Sequence, residues 1–383
     1  MADSPGPRPM VSIVIDNYNY ERFIGRAIES GLGQTYPRVE VVVVDDGSTD
    51  GSRRVIDRYR HRVVAVEQAN GGQGAAVNAG FAASRGDLVI FLDADDELRP
   101  QAVERIVRYL RPGVAKLHFR LEAVDADGAP LGFTNPPESQ PLAAGSIVPS
   151  LIGRGRYTTP VMSGNAFPRE VLERILPMPA AEWRISADGY LVTAAPFHGA
   201  VVAIEERLGA YRIHGANAWA PDTIQAANLP RRVRHDLAKY ALVEALAAAN
   251  GLPAPRRLEL RDHAHLRNRI ASLRLDPRSH PVRDDRRWRL AWWGMVRTVL
   301  HSELDARRRL LFAVWFAVVA FAPRPLAHRA VLLLYVPQSR PRIPRPALTR
   351  ALGRRRTWRP PVGPRSARAR GPGPAGPARP PRR

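Results

Sequence analysis

The sequence predicts a doubly wound α/β layer in its first hundred residues, then a helical region and a disordered basic tail. Three observations carry this. Apolar runs at Val11 to Ile15, Val39 to Val44 and Leu88 to Leu92 are continuous, as in strands buried on both faces of a parallel sheet. Helix-like stretches alternate with them, the pattern of crossover units. From Gln338 onward the composition narrows to Pro, Arg, Gly and Ala, which cannot bury enough apolar surface to order itself.

Taken in chain order, VSIVI (Val11 to Ile15) is the first strand, and Arg22 to Leu32 follows with Phe23, Ile24, Ala27 and Ile28 at helical spacing, ended by Gly31 and Gly33. VEVVVV (Val39 to Val44) runs into Asp45, Asp46, Gly47, Ser48, Thr49 and Asp50, where Ser48 or Thr49 is expected to cap a helix over 51–60. Arg62 to Val66 is a short third strand. Asn70, Gly71 and Gly72 introduce an alanine-rich helix over 74–84, and LVIFL (Leu88 to Leu92) delivers Asp93, Ala94, Asp95 and Asp96 at its end. Beyond these, Lys116 to Leu131 reads as two strands joined near Asp127 and Gly128, residues 168–176 and 186–195 as helices, 201–213 as strand, and 225–275 as an arginine-rich helical run.

The most apolar stretches are 309–322 and 331–336, separated by Pro323 and Pro325. Each is shorter than the ~20 residues of a spanning helix. Framed by Arg307, Arg308, Arg309, Arg324 and Arg329, they suit either core helices or segments lying in a membrane interface. No internal repeat is visible. The expected organisation is an α/β domain over 10–220, a helical region over 221–337 that suits either core packing or membrane association, and the tail over 338–383.

The absence of cysteine excludes a disulfide framework and a thiolate metal site, so any metal must take carboxylate, imidazole or water ligands. Met1 to Pro9 lacks the basic and apolar regions of a secretory signal, which predicts a cytoplasmic chain with its basic flank on the inner face of the plasma membrane. The net charge of +22 is uneven: the first hundred residues are rich in Asp, while Arg dominates from Arg231 onward. A basic protein binding nucleic acid or an anionic membrane surface without catalysis is the competing reading. It leaves the Asp-bearing strand ends unexplained, and the tail lacks interleaved aromatics.

In open α/β sheets ligands sit outside the carboxyl ends of the strands, and three of the four loops there carry Asp. Asp93 and Asp95, one residue apart at a strand end, can face one cavity and form the oxygen-ligand site that Mg2+ or Mn2+ prefers. Asp45 and Asp46 can accept hydrogen bonds from a nucleobase N–H or a ribose hydroxyl, although Asp46 through Asp50 also suit an Asx-type turn. Asn70, Gly72 and Gly74 present flexible backbone for a phosphate contact.

The segments VSIVIDNYNYERFIGRAIESGLGQTYPRVEVVVVDDGSTDGS and NGGQGAAVNAGFAASRGDLVIFLDADD, and more loosely the chain as far as YRIHGAN at 211–217, resemble family 2 glycosyltransferases. The resemblance implies a GT-A fold, Rossmann-like with a mixed, mostly parallel sheet. It also implies inverting transfer of a sugar from a nucleoside-diphosphate donor, UDP by default with GDP and TDP as alternatives. The expected acceptor is a glycan or lipid-linked hydroxyl in cell-envelope polysaccharide or glycolipid synthesis, and nucleic acid is not an expected partner. By the same resemblance Asp45 and Asp46 hold the uracil and ribose, Asp93, Asp95 and Asp96 form the metal-binding D-x-D region, and Asn78 and Gly80 fall in the N-x-G stretch. Tyr18, Asn70 and Gly72 join the donor-binding set.

Two positions depart from the family pattern. Asp16 replaces a proline shortly before Tyr18 and Asn19, which makes Asp16 itself an expected donor contact, and Val77 stands where a basic residue often precedes the helix asparagine. Asp188 in ISADGYL is the expected base, though Ala187-Asp188 stands where the family often has Glu-Asp, and its place at a helix start also suits a dipole-stabilising role. His214 is expected at the metal or the diphosphate. Ser163, Gly164 and Asn165 are expected to line the acceptor and donor-sugar pocket.

Overall fold

A computed structural model describes residues 8–215, 217, 228–253, 257–301 and 304–335. All lie in the first of two units, Met1–Arg340; the second, Pro341–Arg383, and with it the expectation for the tail, falls outside the described residues.

The apolar runs lie side by side, as two-sided burial requires. β1 (Val11–Asn17) is followed by α1 (Ile24–Leu32), β2 (Val39–Asp45), α2 (Ser52–Asp57), β3 (Val64–Glu67), α3 (Gln73–Ala83) and β4 (Leu88–Asp93). The four strands form a parallel block in the order β3-β2-β1-β4. Past β4 the sheet becomes mixed. β5 (Glu97–Leu98), α4 (Ala102–Val107), β6 (Val114–Val124), β7 (Pro130–Asn135), α5 (Val148–Arg154), β8 (Asn165–Pro168), α6 (Arg169–Ile175), α7 (Ala187–Ala194) and β9 (Ala200–Arg212) follow in the chain. The sheet continues in the order β4-β8-β6-β9-β5, with β7 on β6, giving nine strands among the described residues.

Alternation along the strands decides which carboxylates share a face. Ile13, Ile15, Val41, Val43, Ile90 and Leu92 pack in one core with Ile24, Ala27 and Ile28 of α1. Val14, Val42, Val44, Val89 and Phe91 pack in the other with Ala76 and Val77 of α3 and Leu191 of α7. The same period of two sends Asp16, Asp46 and Asp93 toward the α3 side and Asp45 toward the α1 side. Contact between α3 and the sheet is close: a Cβ on Gly80 would lie 2.3 Å from Val14 Cγ1 and 3.1 Å from Val44 Cγ2.

The cap expected from Ser48 or Thr49 is not formed. Gly51 stands at the N-cap of α2 without a side-chain bond, and Asp50 Oδ1 instead accepts from Ser52 N at 2.9 Å. Ser48 Oγ is used across the strand ends, accepting from Asn17 Nδ2 and Asn19 N.

The helical run is α8 (Asn228–Ala249), α9 (His263–Leu275), α10 (Arg287–His301), α11 (Ala306–Phe321) and α12 (Arg324–Tyr335). The stretch expected to be helical over 225–275 is therefore two helices; α8 ends before Gly251, which has φ 66°, and Asp262 caps α9 by accepting from Ala264 N and His265 N. Leu229, Leu266, Ile270, Leu290, Phe316 and Val331 form a third core. The apolar stretch 309–322 is both core and surface: α11 buries Trp315, Phe316, Val319 and Ala320 and exposes Leu310, Leu311, Val314 and Phe321. Among the described residues no helix is long and apolar enough to cross a membrane.

Candidate active site

Asp16 and Asp93 are register partners at the carboxyl ends of the adjacent parallel strands β1 and β4. The turn after β4 closes with Asp96 N donating to Asp93 O at 3.0 Å. Carboxylate oxygens of Asp93, Asp95 and Asp96 thereby come within 4.8 Å of one another. Asp96 Oδ1 accepts from Arg212 N, whereas Asp96 Oδ2 and Asp16 Oδ1 are buried with no hydrogen-bond partner. Buried, mutually repelling carboxylates with unfilled lone pairs are the donor set a hard divalent cation requires.

The electrostatics agree with that geometry. Burial pushes the Asp16 carboxyl up to about 7, against a hydrogen bond from Gln73, and the charges of Asp95 and Asp46 raise it further. Burial, followed by neighbouring Asp charges, holds Asp93 and Asp96 well above the usual carboxylate range. Behind this cluster, buried Arg212 donates Nε to Asp95 O at 2.9 Å and pairs with Glu97, fixing the turn from β9. His214 reaches the cluster through Asp95: its Nε2 lies 3.0 Å from Asp95 Oδ2, which Asn217 Nδ2 also reaches at 3.0 Å, and its ring sits tilted against Phe23.

The opposite wall is the start of α3. Asp46 Oδ1 accepts from Gln68 Nε2 and Gly71 N, and Asp46 Oδ2 accepts from Gly72 N, each at 2.7 Å. Gln73 N and Gly74 N donate to the carbonyls of Arg184 and Trp183. The N–H groups expected to meet a phosphate at Gly72 and Gly74 are thus already bound within the chain, and an aspartate occupies the positive end of the helix dipole. Gly72 has φ 85°, and any side chain there would strike Arg184, whose guanidinium bonds Asn70 Oδ1.

Gln73 links the two chemical halves. Its Nε2 donates to Asp93 Oδ1 at 2.9 Å, and its Oε1 accepts from Ala187 N, the first residue of α7, at 3.0 Å. Before that helix Ser186 takes a left-handed φ of 68°. Asp188 in its first turn is half-buried and accepts from Gly189 N at 2.8 Å.

A cleft of about 1530 Å³ joins these walls. Asp16, Tyr18, Asp46, Asn70, Gly72, Asp93, Asp95, Asp188 and His214 line it. Asp45, Asn78, Gly164 and Asn165 do not. Strand alternation turns Asp45 away, and its carboxylate is taken by Asn17, Ser48 and Arg53. Asn78 exchanges two hydrogen bonds with the backbone of Met178. Gly164 packs against Pro160 and Phe119 O, and Asn165 lies beneath the floor, bonded to Lys116 Nζ at 2.8 Å and to Val161 O at 2.7 Å. Lys116, wholly buried, also donates to Thr159 Oγ1, and burial holds its amine well below the ordinary lysine range.

Sequence reasoning missed Gln73 and Arg184, and it missed the helical wall of the cleft made by Arg232, His235 and Asn268, with Arg156 from the loop after α5. His235 sits against Gly189, where a Cβ would lie 2.4 Å from its ring. The Q in NGGQG was a readable polar residue beside the glycines; the other contacts join segments far apart in the chain.

Residues 12–117 match the sequence model described as glycosyl transferase family 2. An uncharacterised glycosyltransferase of Nostoc sp. (strain PCC 7120) is 41% identical over 215 residues, covering 54% of this chain and 66% of that protein. A Bacillus subtilis glycosyltransferase named for teichuronic acid biosynthesis is 33% identical over 139 residues, covering 34% of this chain and 55% of its own length. The chain thus spans less than two thirds of these curated relatives. Among solved structures, a mannosyltransferase from Pyrobaculum calidifontis in complex with GDP-Man and Mn2+ aligns with a TM-score of 0.47 at 19% identity, over 88% of this chain and 87% of that one.

Proposed function

Since this chain belongs to glycosyltransferase family 2 and has the GT-A fold, we propose that it transfers a sugar from a nucleoside-diphosphate donor to a hydroxyl acceptor with inversion. The observation that carries this is one cleft onto which Asp46, Asp93, Asp95 and Asp188 all open. Asp93, Asp95 and Asp96 would hold Mg2+ or Mn2+, which supplies positive charge against the departing diphosphate. Asp46 Oδ2 carries one protein bond and keeps a lone pair for a base N–H; uracil is favoured by the family resemblance. Arg184 stands beside Asn70 in the cleft, while Val77 is buried in the core, so we assign to Arg184 the donor charge that the family often carries at 77.

Asp188 then acts as general base. The acceptor hydroxyl oxygen bonds to the anomeric carbon as the bond from that carbon to the diphosphate oxygen breaks, and the hydroxyl proton passes to the Asp188 carboxylate. Through Gln73, the Asp93 carboxylate and the start of α7 share one hydrogen-bond path, so the two reacting ends are held at fixed separation. A cell-envelope polysaccharide or glycolipid acceptor is supported by the naming of the Bacillus relative for teichuronic acid biosynthesis. The test is release of nucleoside diphosphate from UDP-sugars beside calorimetric UDP binding. Asp188→Asn should retain binding and lose about a hundredfold or more in turnover, whereas Asp95→Ala should lose metal-dependent binding. Ordinary turnover by Asp188→Asn would remove that residue from the mechanism.

A further inference from the structure

The most exposed of the large apolar side chains are gathered on α10 and α11: Trp288 61%, Trp292 59%, Leu300 65%, Leu310 68%, Leu311 64% and Phe321 68%. They are not scattered. On α10, Trp288, Trp292 and Val299 follow helical spacing, and on α11 so do Leu310, Leu311, Val314 and Phe321, one stripe on each helix. The sides facing the core are separately filled. Leu290 and Ala291 of α10 and Phe316 and Val319 of α11 are buried, and the two helices touch where Gly294 leaves room for the Phe316 ring. The stripes are therefore surplus to the core, and an apolar surface of this kind marks an interaction face.

Charge identifies the occupant. Arg286, Arg287 and Arg289 at the start of α10, Arg307 and Arg308 at the start of α11, and Arg324 and Arg329 on α12 are exposed. The sequence from Gln338 onward adds fourteen arginines and no carboxylate. A second copy would set one arginine rim against another. An anionic lipid surface meets both features at once, accepting the apolar face at the headgroup boundary and the arginines at its phosphates, with tryptophan suited to that depth. We propose that α10 and α11 dock this protein on an anionic bilayer without crossing it, Trp288 and Trp292 entering the interface. This holds independently of the sugar-transfer reading.

The experiment is flotation of the full chain with vesicles of phosphatidylcholine alone or mixed with phosphatidylglycerol, with tryptophan quenching by brominated acyl chains. The wild type should float only with anionic vesicles and be quenched. Trp288→Phe with Trp292→Phe keeps the face apolar, so it should still float while losing most of the quenching. Trp288→Ser with Trp292→Ser should weaken binding by about tenfold or more. Four results would overturn the proposal: no flotation of the wild type, unchanged quenching in the phenylalanine variant, or binding that survives the serine changes but vanishes on truncation after residue 337. The fourth is a serine variant that turns a dimer into a monomer by light scattering, which would make the face a contact between copies.

Discussion

Asp16 and Asp93 meet at the ends of neighbouring strands, where burial raises both carboxyls, helped at Asp16 by the charges of Asp95 and Asp46 and at Asp93 by those of Asp16 and its other neighbours. A carboxyl whose folded-state pKa is raised holds a proton that the unfolded chain has already released, so stability falls as pH rises between the two values. For Asp16 that window runs from 3.8 to about 7. In chelator, the melting temperature of the wild type minus that of Asp16→Asn should therefore become more negative from about pH 4 to about pH 7; a difference that stays flat or climbs would show that Asp16 is not strained in this way. At the donor, Arg184→Gln should weaken UDP affinity about tenfold with Asp188-dependent turnover otherwise preserved, measured by calorimetry beside turnover at saturating donor. Unchanged affinity would take Arg184 off the diphosphate. The sequence reading kept Asp45 and Asp46 together as donor contacts, although strand alternation separates them: Val44 and Asp46 share a side, Val43 and Asp45 the other. Gln73 and Arg184 were harder: their partners Ala187 and Asn70 each lie 114 residues away, and no local spacing encodes such a contact.

At the level of elements, α3 carries the site because it lies so close to the sheet. Gly80→Val would drive a branched side chain into Val14 and Val44, and overpacking of this kind costs about 1–3 kcal/mol. Because α3 also begins with Gln73, the same change should lower donor affinity; chemical denaturation and UDP titration read the two effects, and a variant as stable as the wild type would contradict the packing argument. The parallel strands and their helices were legible because continuous apolar runs and helical periodicity are local signals. β5, with only Glu97 and Leu98, is too short to carry a period. α10 was invisible for a different reason: Trp288 and Trp292 point outward among arginines, so its buried Leu290 and Ala291 do not stand out.

Across the whole molecule the charges are segregated. A chain of net charge +22 gathers unpaired carboxylate oxygens at one set of strand ends, with Arg156, Arg184 and Arg232 on the other walls of the same cleft and further arginines on the helices beyond. The helical wall of that cleft, with His235 of α8 and Asn268 of α9, arises because α8 packs on α7 and α9 on α8, which pattern reading cannot supply. We propose that the strand-end carboxylates bind a nucleoside diphosphate through a metal. Thermal unfolding with UDP, GDP and TDP, each with and without Mn2+, on the wild type and Asp95→Ala tests it most directly. One nucleotide should stabilise the wild type by about 2.7 kcal/mol at a hundredfold excess over its dissociation constant, only with Mn2+ and not in Asp95→Ala. Stabilisation by none of them, or equally in Asp95→Ala, would show that Asp95 does not hold a nucleotide through a metal.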